Sequence, residues 1–484
     1  MTESSLTRKT VRGTFWSYAS FYSGKLMVFI STIILARLLT QEDFGIAGYA
    51  IVVISFLDVL ADFGIGSALI YYREEPAAAN TAFWLGMVIS LIMFGVTWAG
   101  APLAGEFFRD PRAVPVTRLL ALNFPLSALG NIHASLLQRD LSFSKKFIPD
   151  VAKSFSKGLL SIGLALLGFG ADALIIGQLA GSLVAAVVLW RVLPWRPSLP
   201  VDLSFSPRLL SYGGNIVAVN ALGQVLTDSD YLLVGRFLNA ALLGVYSVAF
   251  RIPDLLIMQF CSILSRVIFP VFTRIKGDAH ALENGYLSTL RYVALVTVPL
   301  GLGMALTADP LVRVVFTEKW IDAVPVIQAI SIYALLLSLS FNAGDVYKAQ
   351  GRPQVLTIVS LVRAAILLPA LVWAITGSGS LTVVGWTHAA VALVTGLMQI
   401  IVASRMLQMP LSRIGGALRP ALGSGVLMAA AVAAGALVVQ DAAAPVQLIS
   451  LIAVGGVVYL GALWLFQREV LHTAAHTLRA ALAG

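Results

Sequence analysis

Long apolar stretches, separated by a few polar residues each, follow one another along almost the whole chain. A stretch of about 18 apolar residues or more crosses the hydrocarbon of a bilayer as one helix. The pattern predicts fourteen such spans. A first group lies at 13–39, 44–70, 80–103, 114–137, 148–169 and 172–193. A second lies at 208–237, 242–272, 286–307, 323–346, 354–376 and 381–405, and a last pair at 416–438 and 446–467. Backbone N–H and C=O groups in hydrocarbon need internal partners, so the expected fold class is an all-α integral membrane protein. Residues 468–484 set Leu471, Ala475, Leu478 and Leu482 on one face, the pattern of an amphipathic cytoplasmic tail.

Composition narrows the picture further. Of 484 residues, 58% are hydrophobic and 12% charged, against about 25% charged in soluble proteins. No room remains for a sizeable soluble domain. The single cysteine, Cys261, lies in a span, which excludes a disulfide framework and a cysteine metal site. Arg8, Lys9 and Arg12 precede a first apolar stretch that has no small-residue cleavage site, so that stretch reads as an uncleaved span. The formal net charge of +9 belongs to membrane orientation and not to nucleic acid. With both termini inside, the outer loops keep only Arg37, Arg109, Arg112, Arg118, Arg236, Arg313 and Lys319, as the positive-inside rule requires. The richest inner loop, from Arg139 to Lys153 with Lys157 beyond, alternates Phe143, Phe147 and Ile148 with ammonium groups and is expected at the headgroup surface.

The chain also resembles itself. Arg37-Leu-Leu-x5-Gly45 returns as Arg236-Phe-Leu-x5-Gly244, and Pro102-Leu103, Val114-Pro-Val116 and Gly177 return as Pro310-Leu311, Val324-Pro-Val326 and Gly385. The offsets stay near about 200 residues, so an even number of spans separates the copies and both enter the membrane in the same sense. The expected organisation is a parallel pseudo-twofold pair of six-helix lobes, 1–200 and 201–410, followed by an extra helix pair, 411–467, and the tail, 468–484. Such repeats belong to transporters, whose site lies near the midplane between the copies.

Charges left inside the spans are the candidate chemistry, because a charged group at bilayer depth must be paired or face a polar cavity. The cations are Lys25, Arg251, Arg266 and Arg363; the acids are Asp58, Asp62, Asp228, Asp230, Asp254 and Asp345. Asp58 and Asp62, at i and i+4, share one helix face. Lys25 and Asp58 both sit roughly 18 Å from the inner side by helix rise and are placed to pair. Lys25 and Arg363 are too deep to snorkel, and with Arg266 and Arg251 they are the cations available to an anionic head group. Asp228 and Asp230, at i and i+2, cannot share a face. Asp58, Asp62, Asp228 and Asp230 are the candidate coupling or gating acids. Arg251 and Asp254 flank Pro253 and are expected to satisfy each other beside a kink; Asp345, near Lys348, is expected at the interface. His133 and His388 read as hydrogen-bonded packing residues or, alternatively, a proton relay. His472 and His476 have metal spacing, but no acid stands at a useful offset. No Gly-rich phosphate loop, Walker lysine, His-Glu-x-x-His or nucleophile elbow is present, so the chain is expected to be a transporter and not an enzyme.

Several runs resemble one family: Leu35-Ala-Arg-Leu-Leu-Thr-Gln-Glu-Asp-Phe-Gly45, Asp62-Phe-Gly-Ile-Gly-Ser-Ala-Leu-Ile70, Leu137-Gln-Arg-Asp-Leu-Ser-Phe143, Gly244-Val-Tyr-Ser-Val-Ala-Phe-Arg251, Phe269-Pro270 and Ala349-Gln-Gly-Arg-Pro353. Their order is similar to that of the Wzx-type polysaccharide flippases of the multidrug, oligosaccharidyl-lipid and polysaccharide exporter superfamily. The Leu137–Phe143 run most resembles the colanic acid and succinoglycan exporter branch. The resemblance implies a substrate on a polyprenyl diphosphate, usually undecaprenyl, that bears an oligosaccharide repeat unit. That unit would be flipped by alternating access from the inner to the outer leaflet of a bacterial cytoplasmic membrane, for exopolysaccharide, capsule or O-antigen assembly. It implies a cationic central cavity, which Lys25 and Arg363 fit, and a groove for the lipid tail at the extra helix pair. The partners it implies are membrane lipids and the polymerase and assembly proteins of polysaccharide synthesis. No cofactor is implied; Asp58 and Asp62 beside Lys25 leave a proton or sodium ion as the candidate coupling ion. Two alternatives stay open: a multidrug cation antiporter of the same superfamily, and a membrane-embedded glycan polymerase or ligase.

Overall fold

The computed structural model describes residues 23–71, 78–140, 142–199 and 203–466, and every regular element among them is a helix. The chain forms two compact units, Met1–Ser247 and Val248–Gly484. The expected tail, 468–484, with His472 and His476, lies outside the described residues, as do Arg8, Lys9 and Arg12.

In the first unit, α1 (23–38) is followed by α2 (Gln41–Asp62), α3 (Ile65–Tyr71), α4 (Ala78–Phe108), α5 (Ala113–Ala121) and α6 (Asn123–Arg139). Then come α7 (Phe143–Leu166), α8 (Ala171–Val192), α9 (Ser206–Phe237) and the first turns of α10 (Ala240–Pro253). Helix α2 starts in a capping box: the Asp43 amide donates to Thr40 Oγ1 at 3.1 Å, and the Thr40 amide donates back to the Asp43 carboxylate at 2.9 Å. The span predicted as continuous over 44–70 breaks instead at Phe63 and Gly64, which have φ of 42° and 62°. Asp62 causes part of this break, because its carboxylate accepts the Gly64 amide and closes a tight turn. Gly213 of α9 packs on the break: a Cβ there would lie 1.9 Å from the Phe63 carbonyl oxygen. The polar loop expected over Arg139–Lys153 is mostly helix, since α7 begins at Phe143 and carries Lys145, Lys146, Lys153 and Lys157. It packs closely on α8, where Cβ atoms on Gly177 and Gly181 would meet the Lys157 and Lys153 carbonyls at 2.9 Å each. Small residues four apart permit this approach of two backbones.

The two similar runs Arg37–Gly45 and Arg236–Gly244 meet in this unit. A Cβ on Gly45 would fall 1.6 Å from the Ala240 carbonyl oxygen, and one on Gly244 would fall 1.9 Å from the Gln41 carbonyl oxygen. Each glycine thus faces the first helical residue of the other run. Asn239 caps α10, accepting the Leu242 amide at 2.9 Å, in the place Thr40 holds before α2.

The second unit continues α10 through a π-helical turn, Asp254–Met258, into α11 (Gln259–Ile275). The predicted Pro253 kink is therefore a π-bulge, one of the standard ways a helix absorbs a proline. There follow α12 (Ala279–Leu306), α13 (Ala308–Val315), α14 (Val324–Phe341), α15 (Ala343–Ala349), α16 (Pro353–Ser378) and α17 (Leu381–Met406). The extra pair, α18 (Leu411–Val438) and α19 (Ala444–Phe466), packs on α12 through Met428, Val432, Leu451 and Leu463, and the Tyr459 hydroxyl donates to the Leu295 carbonyl at 3.0 Å. Its outward face is apolar: Val438 is 84% and Val457 73% exposed. Lipid satisfies such surface where water would not.

Among the described residues, eleven helical segments are long and apolar enough to cross a membrane. The other three predicted spans fall on α1, α7 and α9.

Candidate functional site

A polar stripe of the first unit runs along α2. Ser55, Asp58 and Asp62, at i, i+3 and i+7, form one stripe. Asp58 is exposed, and the charges acting on it are those of Lys153 on α7 and of Asp62. Lys25, expected opposite Asp58, is half-buried on α1. It follows Gly24, whose Cβ position lies 3.0 Å from Ser154 Oγ, so Lys25 and Lys153 flank the same contact between α1 and α7. Lys153 acts on Asp58 because α7 stays helical through the expected loop.

Asp228 and Asp230 separate as their spacing demands. Asp228, on α9, accepts from Ser55 Oγ at 2.9 Å and from the Gln224 side-chain amide, which also reaches Ser55 Oγ at 3.1 Å. Both donors are neutral side chains, Gln224 one turn earlier on α9 and Ser55 on the α2 stripe that carries Asp58. Asp230 is 4% exposed and turns the other way, accepting the Tyr246 hydroxyl at 2.7 Å and the Tyr231 amide at 2.9 Å. It fastens α9 to α10. Asp62 belongs to the turn that ends α2.

In the second unit, Arg363 of α16 donates from Nη2 to the Tyr333 hydroxyl of α14 at 2.9 Å. Its Nε is buried and has no acceptor among the described residues. Tyr333 lies 5.2 Å from the His388 ring and 6.2 Å from the Phe250 ring, and those two rings are 5.8 Å apart. Arg251 is exposed; the expected pair with Asp254 is not formed, and Asp254 accepts instead from Gln259 at 3.1 Å across the π-bulge. Arg266 is exposed on α11. Asp345, expected at the interface, is 2% exposed: it pairs with Lys348 at 2.7 Å and accepts from Ser265 at 2.8 Å and Asn342 at 3.2 Å. This network pins α15 to α11 and occupies both carboxylate oxygens of Asp345. His133 packs within an aromatic cluster, 5.0 Å from the Trp190 ring with Nε2 3.2 Å from the Trp195 carbonyl.

Two cations escaped the sequence reading. Lys153 looked like a loop residue, although Lys153 and Lys157 at i and i+4, facing Gly177 and Gly181, carry the signature of a packed helix face. Arg291 sits well inside α12, half-buried with Nε lacking an acceptor, but lay close enough to the predicted span end to be counted with the inner loops.

The loop between α4 and α5 holds an ion triad outside the spans. Arg112 reaches Glu42 at 2.7 Å and Asp110 at 2.8 Å. The Arg112 hydrogen bonds hold the Asp110 carboxyl below its ordinary value, and both acids push the guanidinium up. Among the described residues, no three His, Cys, Asp or Glu side chains are grouped to hold a metal ion.

Known proteins resemble the chain over most of its length. A family model described as polysaccharide biosynthesis protein matches residues 34–325. The teichuronic acid biosynthesis protein TuaB of Bacillus subtilis is 26% identical over 81% of this chain and 82% of its own. The lipopolysaccharide biosynthesis protein WzxC of Escherichia coli is 25% identical over 76% and 75%. The succinoglycan biosynthesis transport protein ExoT of Rhizobium meliloti is 26% identical over 75% and 74%. Among solved structures, the lipid II flippase MurJ in an inward closed conformation superposes with a TM-score of 0.75 at 15% identity, covering 94% of this chain and 99% of that one. An inward-facing multidrug resistance MATE transporter of the MOP superfamily gives 0.65 at 15% identity, over 79% and 94%. These two share its fold.

Proposed function

Because this chain belongs to the polysaccharide biosynthesis protein family, we propose that it is a flippase. Its substrate would be an oligosaccharide repeat unit on undecaprenyl diphosphate, moved from the inner to the outer leaflet of the cytoplasmic membrane by alternating access through fourteen spans, with both termini inside. The observation that carries this reading is that each unit holds basic side chains within the apolar spans and beside polar partners. In the first unit these are Lys25 and Lys153 near the Asp58 stripe; in the second it is Arg363 on Tyr333. A solvated soluble protein would carry such charges on its surface, whereas inside a membrane they mark a substrate route. The diphosphate carries the charge these ammonium groups complement, through charge-assisted hydrogen bonds.

The acids supply the opposing half of the cycle. Before substrate arrives, Asp58 and Lys153 lie within each other's electrostatic field. Arrival of a diphosphate draws the cations away from carboxylate, and Asp58 or Asp228 then takes a proton or a sodium ion. Ser55 and Gln224 hold Asp228 through neutral hydrogen bonds, so it accepts a cation without first breaking an ion pair.

The deciding experiment reconstitutes the protein in vesicles and follows movement of the lipid-linked oligosaccharide. Lys25→Ala and Lys153→Ala stop flipping while insertion into the membrane is unchanged. Unaltered transport in both variants refutes the reading. Deletion of the gene should build up the lipid-linked glycan on the inner leaflet, and its mass names the cargo.

A further inference from the structure

Phe250, Tyr333, Arg363 and His388 come from α10, α14, α16 and α17 and converge inside the second unit. None is near a helix end on α14, α16 or α17; Arg363 lies about 15 Å along α16 by helix rise. Its guanidinium carbon stands 6.0 Å over the Tyr333 ring, Nη2 is engaged by the Tyr333 hydroxyl, and no ion pair joins Arg363 to a carboxylate among the described residues. The buried Nε–H is left without an acceptor. Buried donors are almost always satisfied, so an orphan here marks an oxygen that arrives from outside the chain.

The chemistry of that oxygen follows from its surroundings. A diphosphate carries at least two negative charges and calls for several cations, yet here one guanidinium stands with one arm already committed. Aromatic faces carry negative potential and repel phosphate oxygens, while they attract the C–H face of a pyranose ring. A planar guanidinium suits paired sugar hydroxyls or a sugar carboxylate. The geometry points to a glycan subsite: the half-buried Phe250 and Tyr333 rings, backed by the buried His388 ring, bear on a sugar of the repeat unit, and Arg363 Nε–H donates to one of its hydroxyl or carboxylate oxygens. Tyr333 is the positioning residue that aims the guanidinium. This rests on the flippase reading and divides its work, leaving the diphosphate to the cations of the first unit.

The test compares equilibrium binding of two probes to purified protein: bare undecaprenyl diphosphate, and the undecaprenyl-diphosphate-linked oligosaccharide extracted from a deletion strain. The wild type should prefer the glycan-bearing lipid by about tenfold or more, roughly the discrimination one well-made polar contact supports. Arg363→Gln and Phe250→Leu should bring that ratio close to one, and Tyr333→Phe, which keeps the ring and removes only the hydroxyl, should lower it part of the way. A purely structural role would weaken both lipids alike and leave the ratio unchanged, which would overturn the inference. A wild-type ratio of one would overturn it while sparing the flippase reading. Failure of the wild type to bind either lipid would remove both.

Discussion

Replacing Gly45 by alanine should separate α2 from α10 where they touch. The added methyl would lie 1.6 Å from the Ala240 carbonyl oxygen, 2.3 Å from its carbon and 2.7 Å from its Cα. Ordinary contact needs roughly twice the shortest of these distances, so α2 and α10 must move apart by more than about 1 Å. Side chains rotate away from overpacking at a cost of about 1–3 kcal/mol, but a backbone carbonyl at a helix start has no rotamer to change. The expected loss is therefore about 3 kcal/mol or more. Gly244→Ala, with its Cβ 1.9 Å from the Gln41 oxygen, should cost about the same. Gly95→Ala and Gly100→Ala, within α4 and with nothing inside 4 Å, serve as controls. They should be neutral or stabilising by up to about 1 kcal/mol through helix propensity alone. Once one methyl has parted the helices, the second finds room, so the double variant should cost less than the sum by about 0.5–3 kcal/mol. Denaturant or thermal unfolding of detergent-purified protein, followed by circular dichroism, reads all five variants. Gly45→Ala and Gly244→Ala indistinguishable from the α4 controls, or strictly additive with each other, would refute the reciprocal contact.

Asp345→Ala should destabilise by about 1–3 kcal/mol, because it leaves Ser265 and the buried Asn342 amide without their acceptor, while the half-exposed Lys348 is solvated; Asp345→Asn should cost less, and equal unfolding midpoints for the wild type and the alanine variant would contradict the buried network. Asp228→Asn should abolish any dependence of flipping on an ion gradient with little change in stability, whereas Tyr246→Phe should cost about 1–3 kcal/mol by leaving Asp230 short of a donor and keep the ion dependence. The reverse assignment in a vesicle assay would exchange their roles. At Asp110 the folded value lies below the unfolded one, so its stabilisation is present above about pH 4 and is lost as pH falls through the lowered folded value. Since Arg112 is half-exposed, the effect should stay below about 1 kcal/mol, and the difference in unfolding midpoint between the wild type and Asp110→Asn should close toward the acid end; a difference constant down to pH 3 would count against it.

Much of this protein was legible along the chain. Span positions follow from apolar run length, and the shared face of Asp58 and Asp62 and the divergence of Asp228 from Asp230 follow from helix period. The paired Arg37–Gly45 and Arg236–Gly244 runs announced two segments of one design. These properties are local: a helix in hydrocarbon satisfies its own backbone, so its length and faces are written in consecutive residues. What only the tertiary structure decided is which side chains meet. Lys153 contributes to the field at Asp58 because α7 extends as helix through a stretch that reads as loop. Asp345 is buried in a polar network because α15 folds against α11. Arg363 is held by Tyr333 because α14 and α16 bring residues 30 apart in sequence to 2.9 Å. A charge in a membrane must find a partner, but the choice of partner depends on which helices pack side by side, and that choice is distributed over every contact in the unit.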